Sequence, residues 1–482
     1  MATLSIWSNG NFKEITFQPP QALHVLLEDA GFYGLRPCGG LGKCGKCAVT
    51  LSGEVSAPNE AEAAAGVRLA CQAEVLGDAQ VFLPTAADLQ QIQMESDAQI
   101  TFTAAVGTGI AVDIGSTTLV LRRYDLQTGA LLGQSAMINP QAGIAADVMG
   151  RIGAATQGKG PLLQQQILDA LSLLLHQAGK IADQAVITGN TTMLYLLTGE
   201  NPISLSRAPF EADDLFDRNA SVLGVPAYLP PCMNAFVGAD ISCAVLACGM
   251  CNEKTALLCD IGTNGEIALW KDGVLSVTST AAGPAFEGAL ISCGCSSIPG
   301  AIDKVWWENN QLCVHTIGDQ PAVGICGSGL IDAVAVLLQQ EIMDETGALD
   351  EDVELAPGVT LLQKDIRALQ LAKAAIAAGI QTLLDSTGTT CEEIETFYLA
   401  GGFGSHLNLQ NAAAIGLIPE ELVSKAKVIG NAALAGASRL LLDPLAKEEI
   451  RAIAESSRHF NLGGNPVFNN NYMEQMLFPY FD

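Results

Sequence analysis

Two hydrophobic patterns divide this chain. Near the start, T-L-S-I-W-S-N-G-N-F-K-E-I-T-F sets apolar residues at alternate positions on both sides of Asn9-Gly10-Asn11, which predicts a two-stranded hairpin. A helical stretch follows over Gln21–Asp29, and G-D-A-Q-V-F-L reads as a further strand. Polar residues then fill 86–98, a connector on which the preceding region could move, or a fixed helix. Beyond it the strands read as continuous apolar runs. G-I-A-V-D-I-G-S-T-T-L-V-L-R-R-Y-D (109–125) predicts strand, acidic glycine turn and strand, and L-L-C-D-I-G-T-N-G-E-I-A-L (257–269) repeats that order. V-G-A-D-I-S-C-A-V-L-A-C (237–248) and I-G-N-A-A-L-A-G-A-S-R-L-L-L (429–442) predict helices of small residues, and F-Y-L-A-G-G-F-G-S-H-L (397–407) a strand running into a glycine turn.

Length and composition bound these elements. At 482 residues the chain exceeds one ordinary core, so two or three domains are expected: a head over 1–85, a linker over 86–105 and a body over 106–482. Neither a secretion signal nor a membrane-length apolar run is present, and a cytoplasmic protein that meets no membrane is the expectation. The net charge of −27 argues against a nucleic-acid partner, because a phosphate backbone would be repelled. Five Lys/Arg and eight Asp/Glu lie in residues 1–85. Three of those bases, Arg36, Lys43 and Lys46, surround the first cysteines and form a local basic rim.

In a reducing compartment the 14 cysteines are read as metal ligands or small buried residues rather than as disulfides. Their spacing separates these uses. Cys38, Cys44 and Cys47 share the loop R-P-C-G-G-L-G-K-C-G-K-C, and Cys71 follows after 23 intervening residues. Three thiolates in a glycine-rich loop with a fourth from a distant segment is how a [2Fe–2S] cluster is held. The first spacing is one residue longer than in the plant-type loop. Cys44-x2-Cys47 is also half a zinc ribbon, but a ribbon would want a second such pair and Cys71 stands alone. Cys248/Cys251 and Cys293/Cys295 are read as free thiols or small residues of tight turns, His406 as a surface or capping residue, and Asp344–Glu354 as a solvated loop.

The paired acidic turns point to a nucleotide. Asp113 and Asp260 would hold Mg²⁺, while Gly115, Ser116, Thr117 and Thr118 on one side and Gly262, Thr263, Asn264 and Gly265 on the other would grip phosphates of ATP. Glu266 is the further acidic candidate for catalysis, and Gly401, Gly402, Phe403 and Gly404 would make room for the adenosine. The small-residue helices could cross closely and act as a hinge between lobes.

Taken in order, residues 1–84 resemble a β-grasp ferredoxin, and about 106–482 resembles the duplicated α/β ATPase fold of the actin/Hsp70/sugar-kinase (ASKHA) superfamily. Together with T-G-N-T-T-M (188–193), A-A-G-P-A-F-E-G-A-L-I-S-C-G (281–294), G-I-C-G-S-G-L-I-D (324–332) and Q-K-D-I-R-A-L-Q-L-A-K (363–373), nearly the whole chain is similar to the reductive activators of corrinoid proteins. That resemblance implies ATP-dependent electron delivery from a [2Fe–2S] cluster to the cob(II)alamin centre of a corrinoid protein of a methyltransferase system. It implies an acidic low-potential donor, a ferredoxin or flavodoxin, and allows a homodimer. Larger members carry an extra segment where this chain has only its short connector. Two other functions fit the same residues less well: activation of another low-potential enzyme of the 2-hydroxyacyl-CoA dehydratase type, and a small-molecule kinase with a redox-sensing head and Glu266 or Glu287 as its base.

Overall fold

Strict alternation builds the head. Along β6 (Glu74–Phe82) every second residue is buried, so Val75, Ala79 and Val81 face inward while the residues between them meet solvent. β1 (Ala2–Ser8) and β2 (Asn11–Phe17) form the expected antiparallel pair, and β1 runs parallel to β6. β4 (Ala48–Val55) lies antiparallel on the other side of β6 and carries β5 (Arg68–Leu69). The predicted helix over 21–29 is shorter: Gln21–Ala22 form β3, paired with Glu74 and Val75, and the helix runs Leu23–Asp29. Pairing with β6 satisfies backbone groups that a first helical turn would leave open. Leu23, Leu26 and Leu27 of the helix close the head's core against Leu4, Ile6 and Val81. This computed structural model describes residues 1–8, 11–30, 32, 42, 47–59, 62–63, 68–83, 102–145, 147–179, 182–288, 290–402 and 407–480. Asn9, Gly10, the connector 86–98, the basic rim and His406 lie outside them.

The body holds one five-strand arrangement twice, each with a sixth strand at a different edge. In the first lobe β7 (Thr108–Ile114), β8 (Thr118–Asp125) and β9 (Leu131–Ile138) form a meander, and β10 (Gln184–Gly189) runs parallel beside β7. β11 (Arg218–Val222) and β12 (Val225–Leu229) complete the order β11-β12-β10-β7-β8-β9. In the second lobe β13 (Thr255–Ile261), β14 (Gly265–Lys271) and β15 (Val274–Thr280) repeat the meander. Between meander and return lie two smaller sheets, β16 (Ala301–Glu308), β17 (Gln311–Thr316) and β18 (Gly324–Ile325), then β19 (Val353–Ala356) and β20 (Val359–Leu361). The strand β19 takes the end of the acidic stretch read as loop. β21 (Thr396–Ala400) runs parallel beside β13, with β22 (Ala426–Gly430) outside it and β23 (Ser457–His459) beyond β15.

Continuous apolar strands bury both faces. From β13, Leu257, Cys259 and Ile261 point to a core shared with Ile376, Ile380 and Leu383 of the helix Gln363–Thr387. Ala256 and Leu258 point the other way, into a core that also takes Ala111 and Val120 of the first lobe. That second core contains the helices Ala239–Cys248 and Ala432–Leu442. They cross at Gly436, where a Cβ would lie 2.0 Å from the carbonyl oxygen of Cys243. Only a residue without a side chain permits that approach, as the small-residue pattern implied.

Candidate functional site

Each lobe presents its acidic turn to one cleft. In the first, β7 delivers Asp113, and the turn closes through the Gly115 amide on the Thr118 carbonyl at 2.9 Å. A Cβ on Gly115 would come within 2.7 Å of that oxygen, so the turn needs glycine. In the second, the Gly262 amide donates to the Asn264 carbonyl at 2.9 Å, one position beyond Ile261 at the end of β13. The cleft brings together Asp113, Gly115, Ser116, Thr117, Thr118, Asp260, Gly262, Thr263, Asn264, Glu266, Gly401 and Gly402. Gly265, expected among the phosphate-binding residues, lies buried at the start of β14 against Ile376 and Thr280 and is not among the residues that line the cleft. Gly401 has φ +92°, and a Cβ there would meet Asp260 Oδ1 and the Ile261 carbonyl at 2.7 Å, so glycine lets β21 close on the acidic turn. Phe403 and Gly404 lie outside the described residues.

Further residues complete the cleft. Asn431 caps the helix Ala432–Leu442 with its side-chain oxygen on the Leu434 amide, 2.8 Å, and its Nδ2 donates to Asp113 Oδ2 across the lobes at 3.0 Å. Asn190 caps Thr191–Thr198 in the same way and donates to Ser116 Oγ at 3.0 Å. Both follow a strand-ending glycine and precede small or hydroxylated residues; the G-N pair is an N-cap signal that was legible but had no assigned role. Arg151, wholly buried, holds the first turn from behind through the Ser116 carbonyl at 2.5 Å and the Ala145 carbonyl at 3.1 Å. No sequence pattern singled it out. Asp240, in the first turn of Ala239–Cys248, also lines the cleft.

The electrostatics define what the cleft can take. Desolvation raises Asp113 to about 6, against which the Asn431 hydrogen bond works. Burial and then the Asp113 charge raise Asp260 to about 7. Burial, followed by the charges of Asp113 and Asp260, raises Asp240 to about 8. Glu266, opposite Asp260 in the β13–β14 register, is pushed well above the carboxylate range by burial and by Asp240 and Asp260. Such carboxylates cannot all ionise together without a cation. Hydroxyls and glycine amides from two facing turns add donors for anionic oxygens. The donor set therefore fits Mg²⁺ with a polyphosphate, and Asp113, Asp240, Asp260 and Glu266 are the residues that would face the ion.

In the head, Cys47 and Cys71 are buried with their sulfurs 3.2 Å apart. That is well beyond the roughly 2.05 Å of a disulfide and fits neighbouring ligands of one metal centre. Gln72 Nε2 lies 3.7 Å from the Cys71 sulfur. Cys38 and Cys44 lie outside the described residues. Cys248, Cys251, Cys293 and Cys295 are free thiols. Among the described residues no helix is long and apolar enough to cross a membrane.

Comparison with known proteins covers both regions. Residues 8–76 match the 2Fe-2S iron-sulfur cluster binding domain, 108–253 the RACo middle region, and 254–482 the C-terminal domain of RACo, the ASKHA domain. The chain is 34% identical to the corrinoid activation enzyme RamQ of Eubacterium limosum over 420 residues, 77% of this chain and 70% of the relative. It is 25% identical to a Co(II) methylated amine-specific corrinoid protein reductase of Methanosarcina barkeri over 418 residues, 77% of each chain. A solved reductive activator for corrinoid, iron-sulfur protein superposes over 100% of this chain and 99% of its own, with a TM-score of 0.72 at 26% identity. A ferredoxin-like head and a twice-built ASKHA body in one chain thus have named counterparts along its length, and the protein belongs to the family of reductive activators of corrinoid proteins.

Proposed function

We propose that this protein reduces the cob(II) centre of a corrinoid protein of a methyltransferase system to methyl-accepting cob(I), at the expense of ATP bound between the two lobes. One electron leaves the head and one arrives at cobalt; ATP and water leave as ADP and phosphate. A [2Fe–2S] cluster on Cys38, Cys44, Cys47 and Cys71 would supply the one-electron chemistry, near −400 mV for plant-type sites. If cobalt lies about 120 mV lower, the transfer is uphill by roughly 2.7 kcal/mol. A conformation favoured by bound nucleotide can offset that difference. The observation that carries the reading is the cleft, where two acidic turns 147 positions apart in sequence meet around buried carboxylates.

The chain's own groups divide the work. Asp113 and Asp260 organise Mg²⁺, the turn hydroxyls and amides hold phosphate oxygens, and Asn190, Asn431 and Arg151 hold the turns in place. The domain limits at 85 and 106 are part of this reading. An acidic ferredoxin or flavodoxin would dock on the rim of Arg36, Lys43 and Lys46, steered by opposite charge. The test is anaerobic. Protein, reductant and Mg-ATP are mixed with a cob(II) corrinoid protein, and the visible spectrum should develop cob(I) absorption. Equal reduction without ATP would remove the ATPase half of the reading.

A further inference from the structure

Glu287 stands where the two phosphate turns meet, and the family resemblance gives it no role. Its Oε2 and Oε1 accept from the Thr117 hydroxyl at 3.0 and 3.2 Å, and Oε1 also accepts from the Thr263 hydroxyl. The two hydroxyls are themselves 3.4 Å apart. Thr117 belongs to the first lobe's turn and Thr263 to the second's, so one carboxylate joins the lobes across the cleft. It is carried on the short turn Pro284–Glu287, flanked by Gly283 at φ +79° and Gly288 at φ +77°. The Gly283 amide is tied to the Thr263 carbonyl at 2.9 Å. Gly288 packs on backbone, since a Cβ there would lie 2.3 Å from the Cys295 carbonyl oxygen.

The chemistry of this cluster is exclusive. Each threonine hydroxyl has a single proton to donate. While both serve Glu287, neither can serve a phosphoryl oxygen. A terminal phosphoryl group between the turns would bring acceptors and negative charge, and no donor, to a carboxylate already among Asp113, Asp240 and Asp260. We infer that Glu287 determines the cleft's discrimination between nucleoside tri- and diphosphates: it bridges Thr117 and Thr263 when no terminal phosphoryl group is present, and that group displaces it. A diphosphate, ending short of the hydroxyls, would leave the bridge in place. The displaced turn would move against Cys293–Cys295, whose backbone pairs with Ile325 at 2.8 and 2.9 Å. The inference rests on the nucleotide reading of the cleft.

The test uses the full chain, loaded with its cluster, titrated with Mg²⁺ plus either ADP or the imido analogue of ATP. Glu287→Ala should bind the ATP analogue about tenfold more tightly than the wild type, while ADP affinity moves less than twofold. Glu287→Gln, which keeps the acceptor and removes the charge, should shift in the same direction by less. In the wild type, amide exchange over 283–295 should differ several-fold between the two nucleotide complexes, a readout that does not depend on either variant folding. An unchanged affinity ratio with identical exchange would overturn the inference while leaving the nucleotide site standing. A selective loss of the ATP analogue in the variants would also overturn it, because it would make Glu287 a metal-binding carboxylate. Failure of the wild type to bind either nucleotide would overturn the site and the inference together.

Discussion

The two lobes of the body share a five-strand order, with the sixth strand at opposite edges, and differ in the chemistry they bring to the cleft. Opposite Asp113 in its hairpin stands Val120, whereas opposite Asp260 stands Glu266. Asp113 receives a hydrogen bond from Asn431 of the other lobe, which works against the effect of its burial, whereas burial and the Asp113 charge both push Asp260 upward. The helix that follows the last strand of the first lobe begins with Gly238, Ala239 and Asp240, while its counterpart in the second begins with Asn431 and Ala432. Duplication thus fixed where the turns lie, and the side chains then diverged. The first lobe's carboxylate is held by a hydrogen bond from the protein, and the second's stands opposite another carboxylate.

That contrast sets the size of the mutational effects. Asp260→Asn should lower ATP hydrolysis about a hundredfold, the loss expected when a group stabilising transferring charge is removed. Asp113→Asn should cost nearer tenfold, because an amide at 113 can still pair with Asn431. Steady-state phosphate release on the two variants measures both, and the visible cluster spectrum should stay unchanged in each. Equal losses would erase the functional difference between lobes.

The crossing of the two small-residue helices is the next largest effect. Gly436→Ala would set a methyl group against the Cys243 carbonyl and should destabilise the body by about 1–3 kcal/mol. Thermal unfolding followed by circular dichroism checks this. A variant as stable as the wild type would show that the crossing has room the structure does not display.

Smaller and pH-dependent effects follow from the shared charge. Asp113, Asp260 and Asp240 are raised from the ordinary 3.8 to about 6, 7 and 8. Between those values the native cleft keeps protons that the unfolded chain has released. The stability that these three groups contribute without nucleotide or metal is therefore greatest at the acid end and is lost as pH rises from about 4 through 8. Mg-ATP, which needs the ionised carboxylates, should bind several-fold more tightly at pH 8 than at pH 6, as calorimetric titration would show. Glu266→Gln removes one of the buried titrating carboxyls and should raise the unfolding midpoint at pH 8 by a few degrees. A lower midpoint would mean that Glu266 is paired rather than repelled.

Much of this protein was legible before folding. Local rules are enough for a hairpin around Asn9–Asn11, for acidic glycine turns at 113–118 and 260–265, and for cysteines spaced to hold a cluster, because each depends on residues near one another in the chain. The close helix crossing was also readable, since only side chains as small as Gly436 allow it. The short strand at Gln21–Ala22 was not, because its partner, Val75, is 54 residues away and only the assembled sheet can take it out of the helix. Arg151 and Asp240 were likewise missed, and Glu287 was read only as a possible base of a kinase. Each is an ordinary charged residue in its own segment, and its role comes from what the fold sets beside it: the Ser116 carbonyl, two other carboxylates, and a pair of threonines from opposite lobes. Sequence alone determines which chemical groups are available and which local turns will display them. Charge repulsion, desolvation and competition for a single hydroxyl proton depend on distances through space, and those only the tertiary structure decides.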